Sequence, residues 1–197
     1  MSVPVVIALH YQNDVLHEAG RIKVGLGDDD VVRANLIYSA KRLLLGARER
    51  GWPIFHVRVA YRPDYADLSQ NAPILRGVAK LGAVVDGSWG ADFLEDLKPL
   101  SSENEFVVTH KRINAFYGTI LENLINNFNT KQLIIAGVAT HSVVESTVRH
   151  AVDCGFEVSV AADACASADN EVHVASLKSM SLIANISNVS EVMEELS

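Results

Sequence analysis

The chain has 197 residues, 49% of them hydrophobic and 21% charged, and a net charge of −7. That length suits one globular domain with a real core, and the acidic balance argues against nucleic acid or an anionic membrane surface as a partner. No apolar run approaches the roughly 20 residues of a membrane span, and no basic segment with a cleavage site opens the chain. Cys154 and Cys165 make neither a disulfide framework nor a metal-ligand spacing, so the expectation is a reduced, cytoplasmic protein.

Val3–Leu9 is a continuous apolar run, as expected of a parallel strand buried on both faces. His10-Tyr11-Gln12-Asn13-Asp14 follows at its carboxyl end. Gly20 to Gly27 reads as loop. Asp28 or Asp29 can cap a long helix to about Arg50, with Val32, Leu36, Ala40, Leu43, Leu44 and Ala47 on one face. Ile54–Val59 is the second strand. Residues 60 to about 104 hold many prolines and glycines and read as long loops with one or two short helices, the last near Ala91–Leu97.

Glu105–His110 is the third strand, followed by a helix over about Tyr117–Phe128. Gln132–Ala136 is the fourth, and a helix then runs to Cys154, where Gly155 ends it. Phe156–Ala161 is the fifth strand. A helix near Glu171–Ser181, a sixth strand over Leu182–Ile186 and a last helix near Val189–Leu196 complete the chain. Strands alternating with helices predict an α/β fold, a three-layer, Rossmann-like, open and mostly parallel six-stranded sheet with helices on both faces, in one domain over 1–197.

In such sheets ligands bind beyond the carboxyl ends of the strands, at the point where strand order reverses. Three polar clusters stand at strand ends: His10-Tyr11-Gln12, His110-Lys111-Arg112 and Thr140-His141-Ser142. The stretch Gly137–Thr147 reads as a strand-to-helix turn with Ser142 and Glu145 as a capping box and Val143 at the first helical position. Free N–H groups at such a helix start favour an anion or oxyanion.

These clusters, in this order, resemble the isochorismatase-like hydrolase superfamily, which includes nicotinamidases, N-carbamoylsarcosine amidases and isochorismatases. Val5–Asp14 resembles its opening strand, Lys111–Thr119 its lysine motif, Gly137–Thr147 its nucleophile turn and Asp163-Ala164-Cys165-Ala166 the segment after its fifth strand. The resemblance implies hydrolysis of an amide or related bond by an Asp-Lys-Cys triad. It also implies a cis peptide at Val138–Ala139 that shapes an oxyanion hole, and assembly into a homodimer or homotetramer. Carried over residue by residue, Lys111 takes the lysine position, His10 the aspartate position and Val143 the cysteine position.

Valine has no nucleophilic chemistry, so a thioester route through Val143 is excluded. His10 and Lys111 are then the candidate catalytic residues, and an imidazole can act as acid or base near neutral pH. Val138, Ala139, Thr140, Ser142 and Val143 would line a small-molecule pocket, with Tyr11, Phe116, Tyr117 and Trp89 as an aromatic wall. Thr140 and Glu145 are explained by capping, Asn13 and Asp14 by stitching of the loop, and Cys165 by burial as a small hydrophobe. The region after the second strand offers His56 and no second ligand, so neither metal nor cofactor is expected. Two functions remain: a hydrolase acting on a small carboxylate or amide by non-thiol chemistry, or an inactive member that binds a ligand or serves in assembly.

Overall fold

The computed structural model describes residues 3–23, 30–101 and 104–196. Its centre is one six-stranded sheet, β3-β2-β1-β4-β5-β6, with every pairing parallel. The strands are β1 (Val5–Leu9), β2 (Ile54–Val59), β3 (Glu105–His110), β4 (Gln132–Val138), β5 (Glu157–Ala166) and β6 (Asn185–Ser187). All five residues of β1 are buried, which accounts for its unbroken apolar run. The edge strand β3 instead buries Val108 and His110 and exposes Val107 and Thr109, the period-2 pattern of a strand covered on one face.

The helices are α1 (Asn13–Leu16), α2 (Asp30–Glu49), α3 (Pro73–Leu81), α4 (Leu121–Asn126), α5 (Glu145–Asp153), α6 (Asn170–Met180) and α7 (Val189–Glu195). The connection from β1 through α2 to β2 runs one way across the sheet, and that from β4 through α5 to β5 runs the other. Right-handed crossovers therefore place α2 and α5 on opposite faces. In keeping with this, α2 packs with α7 and α5 with α6. Strand order reverses between β1 and β4, so the crevice of this fold opens above His10 and Val138.

Gly137 makes the β1–β4 approach possible. Its φ is +148°, and a Cβ there would lie 2.3 Å from the Leu9 carbonyl oxygen. The loop after β1 is held by three buried polar residues. Gln12 Nε2 donates to the Val59 and Ala91 carbonyls, and its Oε1 accepts from Val59 N–H. Asn13 Nδ2 donates to Trp89 O, while the Asp14 carboxylate accepts from Val84 and Arg21 N–H.

Several boundaries differ from the sequence reading. The helix expected from Tyr117 begins at Leu121, after Gly118 takes φ +71° and Thr119 Oγ1 accepts from Leu121 N–H. The segment near Ala91–Leu97 forms two short 3₁₀ turns, Trp89–Ala91 and Glu95–Leu97. The sixth strand starts at Asn185, since Ile183 and Ala184 N–H both bond Met180 O and close α6 first. The cap expected at Asp28 or Asp29 lies outside the described residues. Among the described residues, no helix is long and apolar enough to cross a membrane.

Candidate active site

The turn after β4 is not the capped helix start read from the sequence. Thr140–Val144 is one turn of π-helix, and α5 follows from Glu145. The capping box is absent: the Glu145 carboxylate accepts instead from Ser176 Oγ at 2.6 Å and Arg149 at 2.8 Å. Burial raises its pKa, but Ser176, Arg149 and Ser179 together hold it low. Thr140 is buried and bonds the His173 ring at 2.8 Å. Ser142 and Val144 N–H both turn back to Ala139 O, so they are not free donors to a ligand. The Val138–Ala139 peptide is cis, as the resemblance implied.

A cavity of about 70 Å³ lies at the switch point. Its wall includes His10, Val138, Ala139, Ser142 and Val143, so these expected residues do meet. Hydrocarbon from Val15, Val59, Ile74, Leu75 and Val78 completes much of it, with Arg112 as the cation in the lining. Ser142, Ile22, Ile74, Val78 and Ile113 also line an open groove of about 820 Å³ between α3 and α5, so the two spaces adjoin.

Lys111 is not part of this cavity wall. Its ammonium bonds the Ala60 carbonyl and the Asp67 carboxylate and lies over the Tyr61 ring. The reason is strand alternation: Phe106, Val108 and His110 share one side of β3, and Lys111 falls on the other. His110 is therefore the β3 residue that reaches His10. Their Nε2 atoms are in direct hydrogen-bond contact, with ring centroids 4.7 Å apart. Sequence reasoning named the cluster and chose its neighbour, although the alternation Val108, His110 already carried the signal.

The expected aromatic wall does not form. Tyr11 is buried and donates to Ala164 O at 2.7 Å, on the β5 side. Phe116 stacks on His150, Trp89 packs edge-on to His17, and Tyr117 is 64% exposed. Cys165 is buried, and burial pushes its thiol up to about 12, which removes it as a nucleophile. His56 sits within β2 and donates from Nε2 to Glu105 at 2.9 Å. Burial, opposed by Glu105, lowers its pKa to about 4, so it is a neutral hydrogen-bond donor. Its Nδ1 has no partner, as fits a bare lone pair.

The proton inventory of the histidine pair follows from its surroundings. His110 Nδ1 lies 3.3 Å from the Asn114 carbonyl, which can only accept, so this nitrogen carries a proton. Burial opposes a charge on either ring: it holds His110 to about 4, and burial plus His110 hold His10 well below the ordinary value. In the neutral pair His10 Nε2–H therefore donates and His110 Nε2 accepts.

Residues 4–193 match the model of the Isochorismatase domain. The chain is 28% identical over 162 residues to an uncharacterized isochorismatase family protein of Escherichia coli, covering 82% of this chain and 83% of the relative. It is 26% identical over 175 residues to a probable inactive nicotinamidase of Arabidopsis thaliana, covering 88% and 86%. Among solved structures, a putative isochorismatase hydrolase from Oleispira antarctica superposes with TM-score 0.79 at 25% identity over 98% of this chain and 97% of that one. A cysteine hydrolase from Pseudomonas syringae pv. phaseolicola reaches 0.87 at 20% identity over 98% and 92%. Together, the parallel sheet, the cavity at its switch point and the match across nearly the whole chain place this protein in the isochorismatase family.

Proposed function

We propose that this chain is a family member that has given up covalent thiol hydrolysis and keeps the cavity as a binding site for a small molecule. The observation that carries this reading is the composition of the cavity floor. Val143 lines the cavity from the turn before α5, and His10, also in the wall, is a neutral ring bonded to a neutral His110. A triad needs a nucleophile, a base in reach of it and a cation to hold the charge. The nucleophile is missing, the base position is held by a ring bonded to His110, and the cation in the lining is Arg112, not Lys111. The relative named a probable inactive nicotinamidase supports the reading. Relatives named ureidoacrylate amidohydrolase mark the amide chemistry that would have been lost.

The ligand chemistry follows from the lining. Hydrocarbon walls select an apolar body, and Arg112 selects a carboxylate or other anionic group at the opening. A thermal-shift screen of small aromatic and aliphatic carboxylates tests this. Hits should raise the midpoint of the native protein and lose that effect in Arg112→Ala and in Val143→Phe, which fills the floor. Hits that persist in both variants would place the binding site elsewhere.

A second reading keeps non-covalent chemistry, because His10 itself lines the cavity. There His10 would donate a proton to a substrate while water adds, with His110 refilling it. Turnover that is lost in His10→Ala and untouched by thiol reagents would favour this reading over the first.

A further inference from the structure

Away from the cavity, three metal-ligating side chains converge on two helices. Glu122 stands in the first turn of α4, His150 in the last turn of α5, and Cys154 caps α5. One ligand atom of each lies within 4.8 Å of the others. We infer that Glu122, His150 and Cys154 form a binding site for a zinc-class divalent cation.

The placement has local causes. His150 and Cys154 are four residues apart, so helical geometry puts both on one face. The His150 ring is held by Phe116, stacked at 4.9 Å and 13°. That contact orients the imidazole before any ion arrives. The Glu122 carboxylate brings negative charge to within 4.8 Å of a His150 ring nitrogen and the Cys154 sulfur. The last turn of a helix adds unpaired carbonyl dipoles of the same sign.

The exchange balances without oxidant or reductant. The metal–sulfur bond forms, the S–H bond breaks, and the proton leaves to solvent. One carboxylate, one thiolate and one neutral imidazole then neutralise a divalent ion. A nitrogen, sulfur and oxygen donor set suits zinc over magnesium or calcium. Ligand bonds of about 2.0–2.3 Å require the three donors to turn inward onto the ion. Three protein ligands leave a fourth position open. His150 also borders an open depression of about 380 Å³ with Arg112, Asn114 and Tyr117, which leaves room there for water or a small anion. The ion would tie α4 to α5 and stiffen the ground beneath the Asn114–Tyr117 loop.

The test is titration of the untagged, metal-free full chain with Co²⁺, read by absorbance, and with Zn²⁺, read by calorimetry. The expected result is one ion per chain with a thiolate-to-cobalt charge-transfer band. That band should vanish in Cys154→Ser, and Zn²⁺ affinity should fall by roughly tenfold or more in Cys154→Ser and His150→Ala. Cys165→Ala should keep the signal. Alkylation supplies a readout that needs no variant. With Cys165 buried, Cys154 is the reactive thiol, and Zn²⁺ should slow its modification. Binding that survives in His150→Ala and is lost in His10→Ala, a cobalt spectrum without thiolate character, or alkylation indifferent to Zn²⁺ would overturn the proposal.

Discussion

Two polar clusters lie one residue apart in the chain and are built in opposite ways. Gln12, Asn13 and Asp14 spend their polar atoms on backbone groups of the loops around them. His10 spends its Nε2 on another side chain, His110, which stands in the same predicament. The first arrangement joins backbone groups of separate loops. The second joins two titratable rings, one of which lines the cavity. A cluster saturated by backbone bonds fixes a loop, whereas a proton shared between two side chains stands where a ligand would meet it. That difference, more than burial alone, separates scaffold from site here.

Breaking the scaffold should have the largest effect. Gly137→Ala would press a Cβ onto the Leu9 carbonyl at a φ other residues rarely adopt. The expected loss is about 3–5 kcal/mol, measured by urea unfolding, since neither strand can move away without losing its ladder. Asp14→Ala comes next. It strands the Val84 and Arg21 N–H donors and should cost about 2–4 kcal/mol. If Asp14→Ala unfolded at the native midpoint, the saturated cluster would not be the anchor described here.

The histidines should show themselves through pH. Unfolded histidines take up protons near 6.5, while His56 and His110 resist to about 4. Between those values the unfolded chain binds more protons than the folded one, so stability falls as pH drops through that window and is fully present above 6.5. Each resisting histidine should cost roughly 1.4 kcal/mol of stability per pH unit within that window. His110→Gln and His56→Gln should flatten the slope in unfolding titrations at pH 4 to 7, and an unchanged slope would mean the rings are charged in the fold. The smallest effect is expected for Lys111→Ala. Its half-exposed pair with Asp67 should contribute about 0.2–1 kcal/mol, and its removal should leave ligand binding in the cavity intact.

Much of this was legible in the sequence. Apolar runs at β1, β2 and β4, alternation of strands and helices, and polar residues at strand ends were enough to place the sheet and its crevice. The Val138–Ala139 turn and Val143 at the cavity floor were legible too. What escaped depended on neighbours distant in the chain. The Ser142–Glu145 cap fits the local pattern, but Ser176 and Arg149 compete for Glu145 and win. Tyr11 reads as a site aromatic until the Ala164 carbonyl draws it toward β5. The resemblance put Lys111 at the lysine position, whereas one residue of strand phase brings His110 to His10. The cluster of Glu122, His150 and Cys154 was invisible because one of its members comes from a different helix.

The central claim is that the cavity binds a small molecule and does not turn it over. The most direct measurement follows one sample by NMR, pairing a carboxylate or carboxamide hit from the thermal screen with the native protein. The account predicts shifted amide signals for Val138, Ala139, Ser142 and Val143, and no product after prolonged incubation. Product that accumulates catalytically, and ceases when Val143→Phe blocks the cavity, would contradict it.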